Sequence, residues 1–167
     1  LRTSTNYDEK KKEKIVGGKN GFGFKLVLIW STWGRVETVD HIRGLKYVQE
    51  FKDNLTVIEK PKITKTKIKP YTMVSFRPDY QRLGIDGLTE DMISLFKKRV
   101  YDISAVTSKS IKVKLNSQLI PCKSFEQYID LYIGSKGDTK RVYESAPNGR
   151  WEYAVCLSPV DEFTQVS

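Results

Sequence analysis

Nine consecutive residues, Gly17-Gly18-Lys19-Asn20-Gly21-Phe22-Gly23-Phe24-Lys25, hold four glycines and two lysines. No other segment restricts the chain so much. Glycine reaches positive φ and lets backbone N–H groups approach a ligand with no side chain between. Apolar residues at Phe22, Leu26, Ile29 and Trp30 then recur at helical spacing. The loop therefore opens a helix, and a helix start with unpaired N–H donors and a positive dipole end suits phosphate. Lys25 lies in the first turn, where a cation costs about 0.3–1 kcal/mol that a bound polyphosphate would offset. Glycine spacing alone is weak: it matches neither the Walker pattern nor the dinucleotide fingerprint, and a structural turn is the plain alternative.

The rest of the chain reads as an α+β protein. Strands are expected at 35–39, 45–51, 55–58, 72–76, 111–115, 141–145, 150–157 and 162–167, with Gly44 as a hairpin turn. The lysine-rich stretch between Pro61 and Pro70 is expected to be loop. The clearest helix is 89–106, with Glu90 and Asp91 in its first turn and Met92, Phe96, Val100 and Ile103 as its apolar face. Ser124 and Gln127 form a capping box for a second helix, whose Phe125, Tyr128, Ile129 and Tyr132 face inward before Gly134 ends it. The expected architecture is a two-layer α/β sandwich, with a mostly antiparallel or mixed sheet and helices on one face.

Composition narrows the function classes. The 29 Lys and Arg exceed the 20 Asp and Glu, giving a net charge of +9. Such an excess favours polyanions, whether nucleic acid or nucleotide phosphates. The lysines gather at Lys10, Lys11, Lys12 and Lys14, and again at Lys60, Lys62, Lys65, Lys67 and Lys69. Solvated loops explain these clusters as well as a phosphate-facing role does. Cys122 and Cys156 have no metal spacing, and His41, the only histidine, reads as a surface loop residue. No run approaches the ~20 apolar residues of a membrane span. The chain is expected to be soluble and intracellular, and to be a fragment of a longer protein.

Around the glycine loop stand Thr3-Ser4-Thr5-Asn6-Tyr7-Asp8-Glu9 and the lysine-rich spacer. Further on come Phe76-Arg77-Pro78-Asp79, Lys98-Arg99-Val100-Tyr101-Asp102-Ile103, Val113-Lys114-Leu115-Asn116, Tyr128-Ile129-Asp130-Leu131-Tyr132 and Gly149-Arg150-Trp151-Glu152. In this order the segments resemble the ATPase domain of type II DNA topoisomerases of the eukaryotic and large-DNA-virus kind. Asn20 separates them from gyrase-type lids, which carry His there. Two positions differ from the family pattern: Phe24 stands where Ala is usual, and Leu28 where Asn is common.

The resemblance implies ATP as cofactor, with Ser4, Thr5 and Asn6 contacting ribose and phosphates. Gly18, Lys19, Asn20, Gly21, Phe22, Gly23, Phe24 and Lys25 would wrap the triphosphate. It implies that the magnesium ligand and the catalytic base lie upstream of Leu1 and the DNA-cleaving tyrosine downstream of Ser167, so no catalytic or metal residue is assigned here. Residues 1–148 would be the C-terminal part of the ATPase domain and 149–167 the first strands of a transducer domain. DNA and a second copy of the ATPase domain would be the partners. A nuclear location would follow for a cellular enzyme, and virion or host cell for a viral one. Alternatives are a MutL-like or chaperone-like member of the same ATPase superfamily, and a small basic nucleic-acid-binding module.

Overall fold

The computed structural model describes residues 18, 20–147, 149, 151–158, 160 and 162–167. The chain divides into two compact units, Leu1–Gly87 and Leu88–Ser167.

The first unit is one helix and a short second one around a five-stranded antiparallel sheet. α1 (Phe22–Ile29) is followed by β1 (Ser31–Asp40), β2 (Leu45–Lys52), β3 (Val57–Ile58), β4 (Lys62–Lys65) and β5 (Thr72–Pro78), then α2 (Tyr80–Leu83). The strand order is β3-β2-β1-β5, with β4 also pairing β2. Gly44 has φ 63° at the end of the β1–β2 turn, where a side chain would be strained. His41 lies exposed in that turn. Paired residues share a face, so Gly34, opposite Phe51 and Phe76, marks the face on which α1 packs. Arg35, opposite Glu50 and Ser75, marks the other.

One expectation in this unit is corrected. The lysine-rich stretch expected as loop contains β4, because pairing with Leu45–Val48 of β2 supplies the backbone hydrogen bonds while the lysines stay in solvent. Arg77-Pro78-Asp79-Tyr80 leads into α2, whose Asp79 side chain accepts the Arg82 N–H.

The second unit contains α3 (Glu90–Val106), β6 (Lys114–Leu115), β7 (Gln118–Leu119), α4 (Phe125–Ile133), β8 (Arg141–Ser145) and β9 (Glu152–Cys156). Thr89 caps α3 through Met92 N–H, ahead of Glu90 and Asp91. Ser124 caps α4 through Gln127 N–H, and the Gln127 side chain reaches back to Lys123 N–H at 2.7 Å. Both pairs, β6–β7 and β8–β9, are antiparallel hairpins. Ala105, Ile120, Cys122 and Tyr128 form the core, with Val100, Tyr101, Val113, Leu115 and Phe125 packed against them. Both cysteines are free thiols, and burial pushes the Cys122 thiol up.

Here too the sequence reading needs correction. Of the expected face, Val100 packs against the core and Met92 is half-buried, but Phe96 and Ile103 are 53% and 56% exposed; the buried stripe runs from Val100 through Tyr101, Ser104 and Ala105. A Ser–Ala pair lets the neighbouring segment approach closely: Ser104 Oγ donates to the Cys122 carbonyl. Tyr132 is half exposed rather than inward, its hydroxyl 2.9 Å from that of the buried Tyr128. The strand expected at 111–115 contracts to Lys114–Leu115: beyond the turn at Asn116 and Ser117, at φ 48° and 68°, the returning strand is only Gln118–Leu119, and no strand among the described residues pairs Ile111 or Lys112. Residues 162–167 form no strand, having no pairing partner among the described residues.

Candidate phosphate-binding site

The site is built from the start of α1. Gly21, at φ 70° and ψ 15°, is the N-cap residue, and no side chain among the described residues caps the helix. The left-handed cap conformation calls for glycine. The first-turn residues Phe22, Gly23 and Phe24 include no acid, so nothing within the turn neutralises the positive helix end. Asn20, Gly21, Phe22 and Gly23 are exposed, with Phe22 at 54%; Phe24 and Lys25 are half-buried. Among the described residues, a Cβ built on Gly23 would meet nothing within 4 Å. N–H donors uncapped among the described residues, open space over Gly23 and the lysine at the fourth helical position together fit the oxygens of a polyphosphate. Ser4, Thr5, Asn6, Gly17, Lys19 and the lysines at 10–14 lie outside the described residues.

The opposite end of α1 is fastened. Ser31 Oγ donates to the Val27 carbonyl at 2.6 Å. The Ile29 carbonyl accepts from Asn54 Nδ2 at 3.0 Å and from the Arg82 guanidinium at 3.4 Å. Asn54 Nδ2 also meets Asp79 Oδ2 at 2.9 Å, and Asp79 N–H donates to the Trp30 carbonyl at 2.9 Å. The Arg82 guanidinium lies 4.7 Å from the centre of the Trp30 ring. The backbone N–H of Arg82 and then the Asn54 amide hold the Asp79 carboxyl below its ordinary range. Asn54 is the middle of three successive residues at positive φ, Asp53, Asn54 and Leu55 (50°, 58° and 68°). Such a run is held only when its surroundings over-determine it.

Sequence reasoning assigned no role to Asn54, Asp79 or Arg82. The one signal was Asp79 within the Phe-Arg-Pro-Asp block. Leu28, noted only for departing from the family pattern, is 2% exposed and packs over Gly34. It is a core residue, which is why an apolar side chain stands there.

Beyond α1, the polar face of the sheet carries a buried carboxylate. Glu37 is 4% exposed and accepts from Lys46 Nζ at 2.7 Å, from the Tyr71 hydroxyl and from the Arg35 guanidinium. Lys46 first, then Tyr71, lower its pKa to about 2, against burial, which raises it. Among the described residues no three of His, Cys, Asp and Glu come together as a metal-holding group. No helix among them is long and apolar enough to cross a membrane.

No family model matches the chain. DNA topoisomerase 2 of Acanthamoeba polyphaga mimivirus is 41% identical over 162 residues, 97% of this chain and 13% of that protein. The Arabidopsis thaliana enzyme of the same name is 42% identical over 174 aligned residues, covering 100% of this chain and 12% of that protein. The Saccharomyces cerevisiae enzyme is 37% identical, again over the whole chain and 13% of its own length. The chain thus spans about an eighth of the length of these curated relatives. The crystal structure of the ATPase region of Saccharomyces cerevisiae topoisomerase II superposes with a TM-score of 0.83 at 38% identity, covering 95% of this chain and 41% of that one. The ATPase and transducer domains of the Balamuthia mandrillaris enzyme give 0.83 at 37% identity, over 95% of this chain and 40% of that one. With 37–42% identity along nearly its whole length and the fold of these solved ATPase regions, the chain belongs to the type II DNA topoisomerase family.

Proposed function

We infer that the segment supplies the phosphate-binding lid of an ATPase domain in an enzyme that changes DNA topology by passing one duplex through a double-strand break. The uncapped, exposed start of α1 behind Gly21 carries this reading. Ser4, Thr5 and Asn6 would bind ribose and phosphate, and residues 18–25 would wrap the triphosphate of magnesium-bound ATP. Backbone N–H groups serve phosphate oxygens here, and Lys25 adds a charge-assisted donor. The magnesium ligand is expected outside these 167 residues. In the intact protein, ATP would order the lid and favour pairing of two ATPase domains around DNA, a switch of the kind ligand energy drives. A division into ATPase residues 1–148 and transducer residues 149–167 would fall in the turn between β8 and β9. The cellular site of such an enzyme is the nucleus, or the virion or infected host cell.

The direct test uses isotope-labelled chain titrated with tripolyphosphate and with magnesium ATP. Amide shifts are expected at Phe22, Gly23 and Phe24, and weaker binding in Lys25→Ala. Shifts confined to other segments would overturn the assignment. With no catalytic base or DNA-cleaving tyrosine assigned to it, the chain alone is expected neither to hydrolyse ATP nor to relax supercoils. Lys25-dependent turnover by the purified chain would contradict that. In a larger enzyme containing the segment, Lys25→Ala is expected to weaken ATP-dependent strand passage.

A further inference from the structure

The first unit carries charge that neither its core nor the phosphate loop uses. On the sheet face away from α1, an open groove is lined by Arg35, Glu50, Lys52, Glu59, Lys60 and Lys62, with Thr64 and two aliphatic residues beside them. One of its two acids is already paired. Lys52 Nζ reaches Glu59 at 2.8 Å, and Glu50 accepts from the Trp33 indole at 3.5 Å. Arg35 gives one terminal nitrogen to Glu37, while its Nε is buried with no partner among the described residues.

The groove continues into an open edge. β3 and β4 both pair with β2, and no strand among the described residues lies on their outer side. Along that edge Lys60, Lys62, Lys65, Lys67 and Lys69 are all exposed and make no ion pair among the described residues. Thr66 N–H donates to the Gly44 carbonyl at 2.8 Å, which ties the stretch after β4 to the β1–β2 turn, where the exposed Arg43 pairs with Asp40 at 3.5 Å. Ten extended residues reach at most roughly 33 Å, about the length of ten base-pair steps of ~3.4 Å.

Lysines on an open strand edge also prevent unwanted sheet pairing. That role accounts for Lys62 and Lys65. It does not account for Lys67 and Lys69, which follow the strand. A protein partner would call for an apolar centre, whereas this groove is lined by seven polar residues and two aliphatic ones. We propose that the β3–β4 edge and its groove bind the phosphate backbone of duplex DNA, at a surface separate from the glycine loop. Contacts of this kind position a duplex without reading its sequence.

The test measures binding of the chain to a fluorescent duplex of about 30 base pairs across a salt series, since each lost phosphate contact lowers the slope of log K against log salt by about 0.9. Lys60→Gln/Lys62→Gln/Lys65→Gln is expected to lower the slope by two to three. Lys109→Gln/Lys112→Gln/Lys136→Gln, an equal charge change at exposed residues of the other unit, is expected to leave it unchanged. Lys62→Glu/Lys65→Glu keeps the edge charged against sheet pairing, and is expected to abolish binding. Lys67→Gln/Lys69→Gln, outside the strand, gives the same reading with no change to β4. Equal slope losses in the two triple variants would overturn the proposal, as would retained binding by the glutamate variant. Competition by poly-glutamate as strong as by unlabelled duplex would assign the surface to an acidic protein instead. None of these outcomes depends on whether the glycine loop binds nucleotide.

Discussion

Leu28 and Gly34 are fitted to each other: a Cβ built on Gly34 would lie 2.3 Å from Leu28 Cδ2, and Leu28 is itself 2% exposed. Gly34→Ala must therefore push a buried leucine out of place, an overpacking cost of about 1–3 kcal/mol. Leu28→Ala should cost about 2–5 kcal/mol through the cavity it leaves. In the double variant the alanine at 34 finds room, so the combined loss is expected to be smaller than the sum. Denaturant unfolding of the three variants checks this, and strict additivity would refute the fit.

Asn54 performs two tasks that substitution separates. Asn54→Gly keeps the positive φ easy but removes the amide from the Ile29 carbonyl and Asp79, an expected loss of about 1–3 kcal/mol. Asn54→Ala adds the strain of alanine in the left-handed region, about 1–2 kcal/mol more. Hydrogen exchange of α1 amides should speed up in both variants. Equal stability of the glycine and alanine variants would show that the backbone had relaxed.

A carboxylate placed at the start of α1 should help the helix and harm the ligand. Phe22 is exposed, so Phe22→Glu removes little packing and gains about 0.3–1 kcal/mol from the helix dipole. The same charge stands where phosphate is proposed to sit. Thermal stability is expected to rise or hold while tripolyphosphate affinity falls. A variant that binds phosphate undiminished would separate the helix end from the ligand.

Glu37 sets an acid limit on the first unit. Its folded pKa of about 2 is below the ordinary 4.5, so the ionised form is the one that folding favours. The stabilisation is complete above about pH 4.5 and is lost as pH falls from there towards about 2. Melting temperature against pH should show this fall, and Glu37→Gln should flatten it in that window. An unchanged profile in the glutamine variant would place the acid sensitivity elsewhere.

Local chemistry was legible in the sequence and distant pairing was not. The Ser124 cap and the Gly44 turn are written within a few residues of where they act. Asn54, Asp79 and Arg82 come from separate parts of the chain and acquire a role only when β2, β5 and α2 surround the end of α1. Lys62–Lys65 read as loop because lysine is poor strand material, yet an edge strand needs only one paired side. Residues 162–167 alternate like a strand, and alternation without a neighbour is not enough. The apolar stripe of α3 was misplaced because Ser104 and Ala105, small rather than greasy, are what the core takes in.

The contrast between the two ends of α1 has a mechanical consequence. A rod clamped at one end and loaded at the other is a cantilever. Any pull applied at Gly21 arrives, through Ile29 and Trp30, at Asn54 beside β2 and at Asp79 beyond β5. A force of molecular origin at the glycine loop is thus delivered to the sheet's own strands within two hydrogen bonds of the helix end.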